Sequence, residues 1–246
     1  MAQIKGVFFD LGGTLRIAED VPEHQNRAAA RMAELAGWEN PDAFLELVEA
    51  RYAPYRDWAL TENKEAGDFD LWNKWLLPDF PEEKLREICH ELTYQYRQVK
   101  GLRHVVEGGV EVIQTLHARG YKLGIISNLI GEYEIYYWLK KDGLERFFDS
   151  VVLSSVCHIR KPDPEMYRMG CRELGLDPEE CASVADNLNR DITGAKAAGI
   201  GANILFISPA KLAKKTITPE NRPDYIVHKF LDIPELPILQ GGPHGA

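Results

Sequence analysis

Long apolar runs are missing from this chain: none of its stretches approaches the roughly 18 apolar residues that cross a bilayer, and the patch after Met1 reaches Asp10 almost at once. Neither a membrane span nor a secretory leader is expected. Cysteine is scarce as well. Cys89, Cys157, Cys171 and Cys181 lie far apart and form no CxxC pair, which argues against a zinc knuckle or redox dithiol and for reduced thiols in a cytoplasmic protein. Positive charge is in deficit, 29 Lys+Arg against 38 Asp+Glu for a formal charge of −9, the wrong sign for gripping nucleic acid through the overall field. No repeat, low-complexity tract or linker interrupts the sequence. What remains, 45% hydrophobic and 27% charged residues over 246 positions, is the make-up of an ordinary globular chain long enough for one large domain or a core carrying an insertion. The closing GGPHGA is small and polar and is expected to be a frayed end.

Short apolar runs at Ile4–Phe9, Leu123–Ile126, Val151–Leu153, Ser183–Ala185, Ile204–Ile207 and Tyr225–Val227 alternate with helical periodicity, the pattern of a parallel α/β sheet. Asp163-Pro164-Glu165 and Asp177-Pro178-Glu179 read as helix starts, and Gly120, Gly143, Gly175 and Gly199 as helix stops. Between Arg16 and Lys100 the strand-like runs vanish and four helical segments replace them: 23–36, 42–53, 69–76 and 82–99. The second is expected to be interrupted at Pro54, and the Tyr and Trp stripe around it to serve as core or interface. The expected architecture is a three-layer Rossmann-like core, residues 1–16 and 101–246, with a small all-helical cap, residues 17–100, over the carboxyl ends of the strands. The aromatic cap is compatible with a monomer or a homodimer.

Ligands of open parallel sheets sit where strands end, so the residues just after each apolar run form the candidate site. The first run ends in Asp10-Leu11-Gly12-Gly13-Thr14 and the second in Ser127-Asn128. Arg160-Lys161-Pro162-Asp163-Pro164 follows the third, and the fourth ends in Asp186-Asn187-Leu188-Asn189-Arg190-Asp191. Carboxylates gathered at one rim repel unless a cation lies among them, and oxygen ligands suit Mg²⁺ beside a phosphate. Asp10 and Asp186 are the natural ligands. Gly12 and Gly13 let backbone approach an anion, Ser127 can donate to a phosphate oxygen, and Lys161 supplies positive charge. A carboxylate so placed can attack phosphorus.

FFDLGGTL, IISN, RKPDPEMY and VADNLNRDITGAKAAGI together resemble the four ordered motifs of the haloacid dehalogenase superfamily. The resemblance implies Asp10 as nucleophile, Ser127 and Lys161 as stabilisers of phosphate and intermediate, and Gly12, Gly13 and Asn128 around the phosphate. It further implies Mg²⁺ held by Asp10, the Gly12 carbonyl and Asp186, with Asp191 orienting metal-bound water. A small phosphorylated substrate is expected, selected by a helical cap. In the family's phosphatases a second aspartate stands two residues after the nucleophile as general acid and base; here that position is Gly12. His24, Glu62, Lys64, Glu65 and Asp68 of the cap are candidate substitutes, and a substrate with a good leaving group would need none. Two further readings stay open: a phosphate-binding or regulatory relative with impaired turnover, and a C–P or C–halogen hydrolase. Dehalogenase relatives carry an aromatic residue at the position of Gly12, and a phosphonatase would need a cap lysine, for which Lys64 and Lys74 are candidates. Taken singly, Ser127, Asp186 and Asp191 could be helix-cap residues, and Lys161 or Lys211, Lys214 and Lys215 solvated lysines.

Overall fold

The computed structural model describes residues 2–243; the last three residues of the GGPHGA segment lie outside that range. Six parallel strands form one sheet: β1 (Gly6–Phe9), β4 (Lys122–Ser127), β5 (Ser150–Leu153), β6 (Cys181–Ala185), β7 (Ala202–Phe206) and β8 (Tyr225–Val227), in the order β5-β4-β1-β6-β7-β8. Each strand expected from an apolar run is present. Side chains alternate across β1: Val7 and Phe9 enter one apolar cluster, and Phe8 enters another on the opposite face. Burial on both faces is why the strands read as continuous apolar runs. Helices α5 (Gly109–Ala118) and α6 (Glu134–Lys141) supply the first face, and α8 (Glu165–Leu174) and α9 (Thr193–Ala198) the second. The short α7 (Ser154–Cys157) and α10 (Pro209–Leu212) follow β5 and β7. The core is therefore a three-layer Rossmann-like α/β sandwich. The parallel register Phe9 to Ile125 and Val184 brings the ends of β1, β4 and β6 level.

The helical cap comprises α1 (Pro22–Ala36), α2 (Pro41–Glu62), α3 (Asp68–Asp70), which runs on through a wide turn to Leu76, and α4 (Glu82–Val99). Its own apolar cluster holds Phe44, Tyr55, Trp72, Leu85 and Tyr96. Asn40 caps α2, its carboxamide oxygen accepting from the Asp42 and Ala43 amides at 3.0 and 3.1 Å. Pro54 does not break α2. An interior proline costs about 3 kcal/mol, but the buried Tyr55 and Ala59 beyond it anchor the next turns, with Tyr55 packed on Tyr52, Trp58 and Trp75. The aromatic stripe is cap core, as expected.

Two features depart from expectation. A two-stranded antiparallel ribbon, β2 (Arg16–Glu19) with β3 (Leu102–Val105), joins cap to core. Ile17–Glu19, expected in the helical insertion, is thus a strand. Asp177-Pro178-Glu179 opens only one 3₁₀ turn, closed by a capping box with Glu180, because Cys181 enters β6 at once. The four anticipated helix-stop glycines all adopt positive φ.

Candidate functional site

Asp10 directly follows β1, Ser127 ends β4, and Lys161 leads into α8, so parallel strand order alone brings them to one rim. All three are buried. The Lys161 ammonium lies 2.7 Å from Asp10 Oδ1 and 2.5 Å from Asp191 Oδ1, and donates to the Ile126 carbonyl at 2.8 Å. Ser127 Oγ stands 3.4 Å from Asp10 Oδ1. Asp186 and Asp191 follow β6, where Asn187 accepts from the Asn189 and Arg190 amides and so fixes the turn that presents them.

Asn128, expected near the phosphate, lines the pocket beside Gly12 and also clamps the Lys161 backbone. Its Oδ1 accepts from Lys161 N at 2.8 Å and its Nδ2 donates to Lys161 O at 3.0 Å. It thereby positions the lysine. Gly13 likewise commits its N–H to Arg16 O at 2.9 Å rather than to an anion. Its φ is +84°, and a Cβ there would collide with Asp186 Oδ2, so glycine lets the loop press against that carboxylate. Gly12 is different: its φ is ordinary and a Cβ would meet nothing within 4 Å.

Arg190 is a site residue not singled out in the sequence. Its guanidinium donates to Asp191 Oδ2 from Nε at 3.1 Å and Nη2 at 2.9 Å, and lies 3.5 Å from both Asp10 Oδ2 and Asp186 Oδ1. Burial disfavours its charge, but Asp191, Asp10 and Asp186 outweigh burial and hold its pKa above the ordinary value. Three acids are answered by two bases. Burial first, then the charges of Asp10 and Asp191, push the Asp186 carboxyl up to about 6 against the pull of Arg190 and Lys161.

A Mg²⁺ ion fits this donor set. Oxygens of Asp10, Asp186 and Asp191 lie within 4.8 Å of one another. Asp10 Oδ2 and Asp186 Oδ1 are buried without a hydrogen-bond partner among the described residues. An all-oxygen cluster of this kind suits a hard divalent cation.

Beside Gly12 opens a pocket of about 150 Å³ lined by Ser127, Asn128, Arg16, Arg97, Arg103 and Glu134, among others. Three guanidinium groups face one carboxylate. Glu134 pairs with Arg97, and Arg16 lies 3.6 Å away. Burial raises the Glu134 carboxyl, but Arg97, Arg103 and Arg16 override it and keep it below the usual range. Burial pulls Arg16 and Arg103 down to about 10, and Arg16 Nε has no partner among the described residues. None of these four residues was marked by the sequence, because they come from β2, α4, β3 and α6 with no common period.

The cap candidates for proton transfer do not reach this pocket. His24 contacts Gln98 at 3.3 Å and lines a neighbouring cleft with Arg16 and Arg103. Glu65 is fully buried, accepting from Tyr55 Oη, Arg160 Nη1 and, at 2.9 Å, Ser154 Oγ. Asp68 faces His90. Glu62 and Lys64 are exposed at the end of α2, and Lys74 pairs with Asp70 on the surface. Lys211, Lys214 and Lys215, expected as a solvated face, are exposed but border a 520 Å³ cleft that reaches Asp186.

Comparison with known proteins adds to this geometry. The haloacid dehalogenase-like hydrolase family matches residues 4–199. A glyceraldehyde 3-phosphate phosphatase of Methanopyrus kandleri is 29% identical over 203 residues, covering 80% of this chain and 82% of that one. Its namesake from Methanothermobacter thermautotrophicus is 29% identical over 229 residues, covering 91% and 95%. Pyrophosphatase PpaX of Bacillus velezensis is 33% identical over 153 residues, covering 60% and 68%. Among solved structures, a 2-haloacid dehalogenase of Pseudomonas syringae superposes with a TM-score of 0.67 at 20% identity, covering 97% of this chain and 99% of its own. That likeness concerns the fold.

Proposed function

The chain belongs to the haloacid dehalogenase-like hydrolases, and on that premise we propose that it is a Mg²⁺-dependent phosphatase acting on a small phosphorylated metabolite through an aspartyl-phosphate on Asp10. The observation that carries this reading is the buried Asp10 carboxylate, with one oxygen held by Lys161 at 2.7 Å and the other without a hydrogen bond, within 3.5 Å of Arg190 and beside Asp186. Relatives named as phosphatases, alignable over most of the chain, support it. Residues 1–16 and 101–246 act as the catalytic body and 17–100 as the cap. Among the described residues no helix is long and apolar enough to cross a membrane. The four free thiols support a cytoplasmic enzyme, monomeric or homodimeric, that takes neither nucleic acid nor membrane as partner.

A carboxylate oxygen of Asp10 attacks phosphorus; the new C–O–P bond forms as the bond to the leaving oxygen breaks. Lys161 neutralises charge on the phosphoryl group, and Ser127 Oγ donates to one of its oxygens. Water then attacks the same phosphorus, releasing phosphate and restoring the carboxylate. Asp10, the Gly12 carbonyl and Asp186, with Asp191 behind them, would hold Mg²⁺, which when bound supplies charge neutralisation for the phosphoryl oxygens. The departing oxygen receives no proton from residue 12. Among the residues lining the pocket Glu134 is the one acid, and its arginine partners keep it ionised. Solvent is left as the proton source, which favours substrates with good leaving groups. The guanidinium excess in the same pocket favours a substrate bearing a second anionic group.

The test is Mg²⁺-dependent phosphate release from alkyl, sugar, aryl and acyl phosphates by native protein, Asp10→Asn and Gly12→Asp. Release by the native protein that Asp10→Asn abolishes is expected; release that survives Asp10→Asn overturns the assignment. The missing acid favours one second reading, a phosphate-binding regulator. Tight binding of phosphorylated ligands with no turnover across the panel would establish that reading instead.

A further inference from the structure

Away from the Asp10 rim, a second set of ligand-type side chains converges where cap meets core. Asp68 begins α3, His90 lies on α4, and Glu132 sits on the loop leaving β4. Their donor atoms lie within 4.8 Å of one another. His90 Nδ1 and Asp68 Oδ2 are 2.8 Å apart, about half an ångström inside the roughly 3.4 Å that separates neighbouring ligands of a tetrahedral ion bound at about 2.1 Å. A simple histidine–carboxylate hydrogen bond would account for that pair alone.

Two observations go beyond it. Asp68 is only 1% exposed, yet its Oδ1 has no hydrogen-bond partner among the described residues. The neighbouring Thr93 hydroxyl helps to lower the Asp68 pKa, but its one proton is also within reach of the Cys89 carbonyl at 3.0 Å, and its oxygen accepts from the Trp72 indole. A second carboxylate, Glu132, also stands against Asp68, its Oε1 accepting from the Asp68 amide at 2.6 Å. Burial pushes the Asp68 carboxyl up to about 6; the His90 hydrogen bond opposes this and the Glu132 charge adds to it. One unmet buried acceptor and one like-charged neighbour are both answered by a cation.

We propose that Asp68, His90 and Glu132 form a second metal site, separate from the catalytic rim, for a divalent first-row transition ion, Zn²⁺ above all. The imidazole selects such an ion over Mg²⁺, and the carboxylates complete a mixed N/O set. His90 is half-exposed and opens on a 360 Å³ cleft bordered by Tyr94, Tyr133 and Tyr137, which gives an ion and its remaining waters a way in. Two ligands come from the cap and one from the core loop, so the ion ties the two together. The site stands independently of the phosphatase reading.

Calorimetric titration of Zn²⁺ into metal-stripped full-length protein tests it, with excess Mg²⁺ present and an Asp186→Asn background to silence the rim. One Zn²⁺ per chain is expected, bound about tenfold or more weakly after His90→Ala or Glu132→Gln. Both variants change accessible side chains, and their melting temperatures without Zn²⁺ check folding. Co²⁺ substitution gives a second readout, a visible spectrum that loses its imidazole contribution in His90→Ala. Zn²⁺ uptake that disappears in the Asp186→Asn background, or that His90→Ala leaves unchanged, overturns the proposal.

Discussion

Two sides of one mouth carry opposite surpluses of charge. On the sheet rim Asp10, Asp186 and Asp191 outnumber Lys161 and Arg190; across Gly12, Arg16, Arg97 and Arg103 outnumber Glu134. An acid surplus that burial has stripped of water asks for a cation, and a base surplus in the same condition asks for an anion. A phosphate ester with a further negative group, taken together with a divalent metal, meets both demands. The contrast also divides the labour. On the proposed reading the rim, built from strand ends of the core, would break the bond, and the arginine pocket, built from the ribbon, α4 and α6, would select the substrate.

Under this division, substitutions on the two sides should fail differently. Asp10→Asn removes the proposed nucleophile and should cut Mg²⁺-dependent phosphate release by about 10⁴-fold or more, read from initial rates on any substrate the native protein accepts. Gly12→Asp should raise the rate on alkyl phosphates by about 10²–10⁴-fold and change aryl and acyl phosphates little. A Cβ at this position meets nothing within 4 Å and the backbone is ordinary, so a null result in a folded variant would mean that proton supply is not what limits the rim. Arg103→Met should raise KM about 10–100-fold for a substrate with a second anionic group while kcat stays near native. Equal loss on singly and doubly charged esters would merge the two sides into one. Smallest of all, Lys64→Ala and Lys74→Ala should leave rates within about twofold. A collapse of activity in either would revive a Schiff-base route through the cap.

The rim was legible in the sequence for a geometric reason. Asp10, Ser127 and Asp186 each follow an apolar run directly, and parallel strands place all such positions at one edge, so linear order converts into proximity without knowledge of packing. The fold was legible for the same reason, since doubly buried strands announce themselves as short unbroken apolar runs. The arginine pocket has no such shortcut. Arg16 and Arg103 sit on four-residue strands without alternation, and Arg97 and Glu134 on different helices; only tertiary packing unites them. Arg190 was hidden for another reason. An arginine between a capped turn, such as the one Asn187 makes, and a helix is usually solvated, and nothing in NLNRD shows that this side chain bends back over the carboxylates. Pro54 was read by local propensity, and tertiary anchoring of Tyr55 and Ala59 overrode it.

Glu65 bears on the tempo of the enzyme. Its carboxylate gathers a phenol from α2, a hydroxyl from α7 and the guanidinium of Arg160, next in sequence to Lys161. Tyr55 belongs to the cap and would move with Glu65, so lifting the cap would part the carboxylate from its two core partners, Ser154 and Arg160, and break an ion pair formed away from water. If the cap must open to release product, that step would wait on this latch letting go. Solvent viscosity and Glu65→Gln should both act on that waiting time, with the chemistry at Asp10 left as it was.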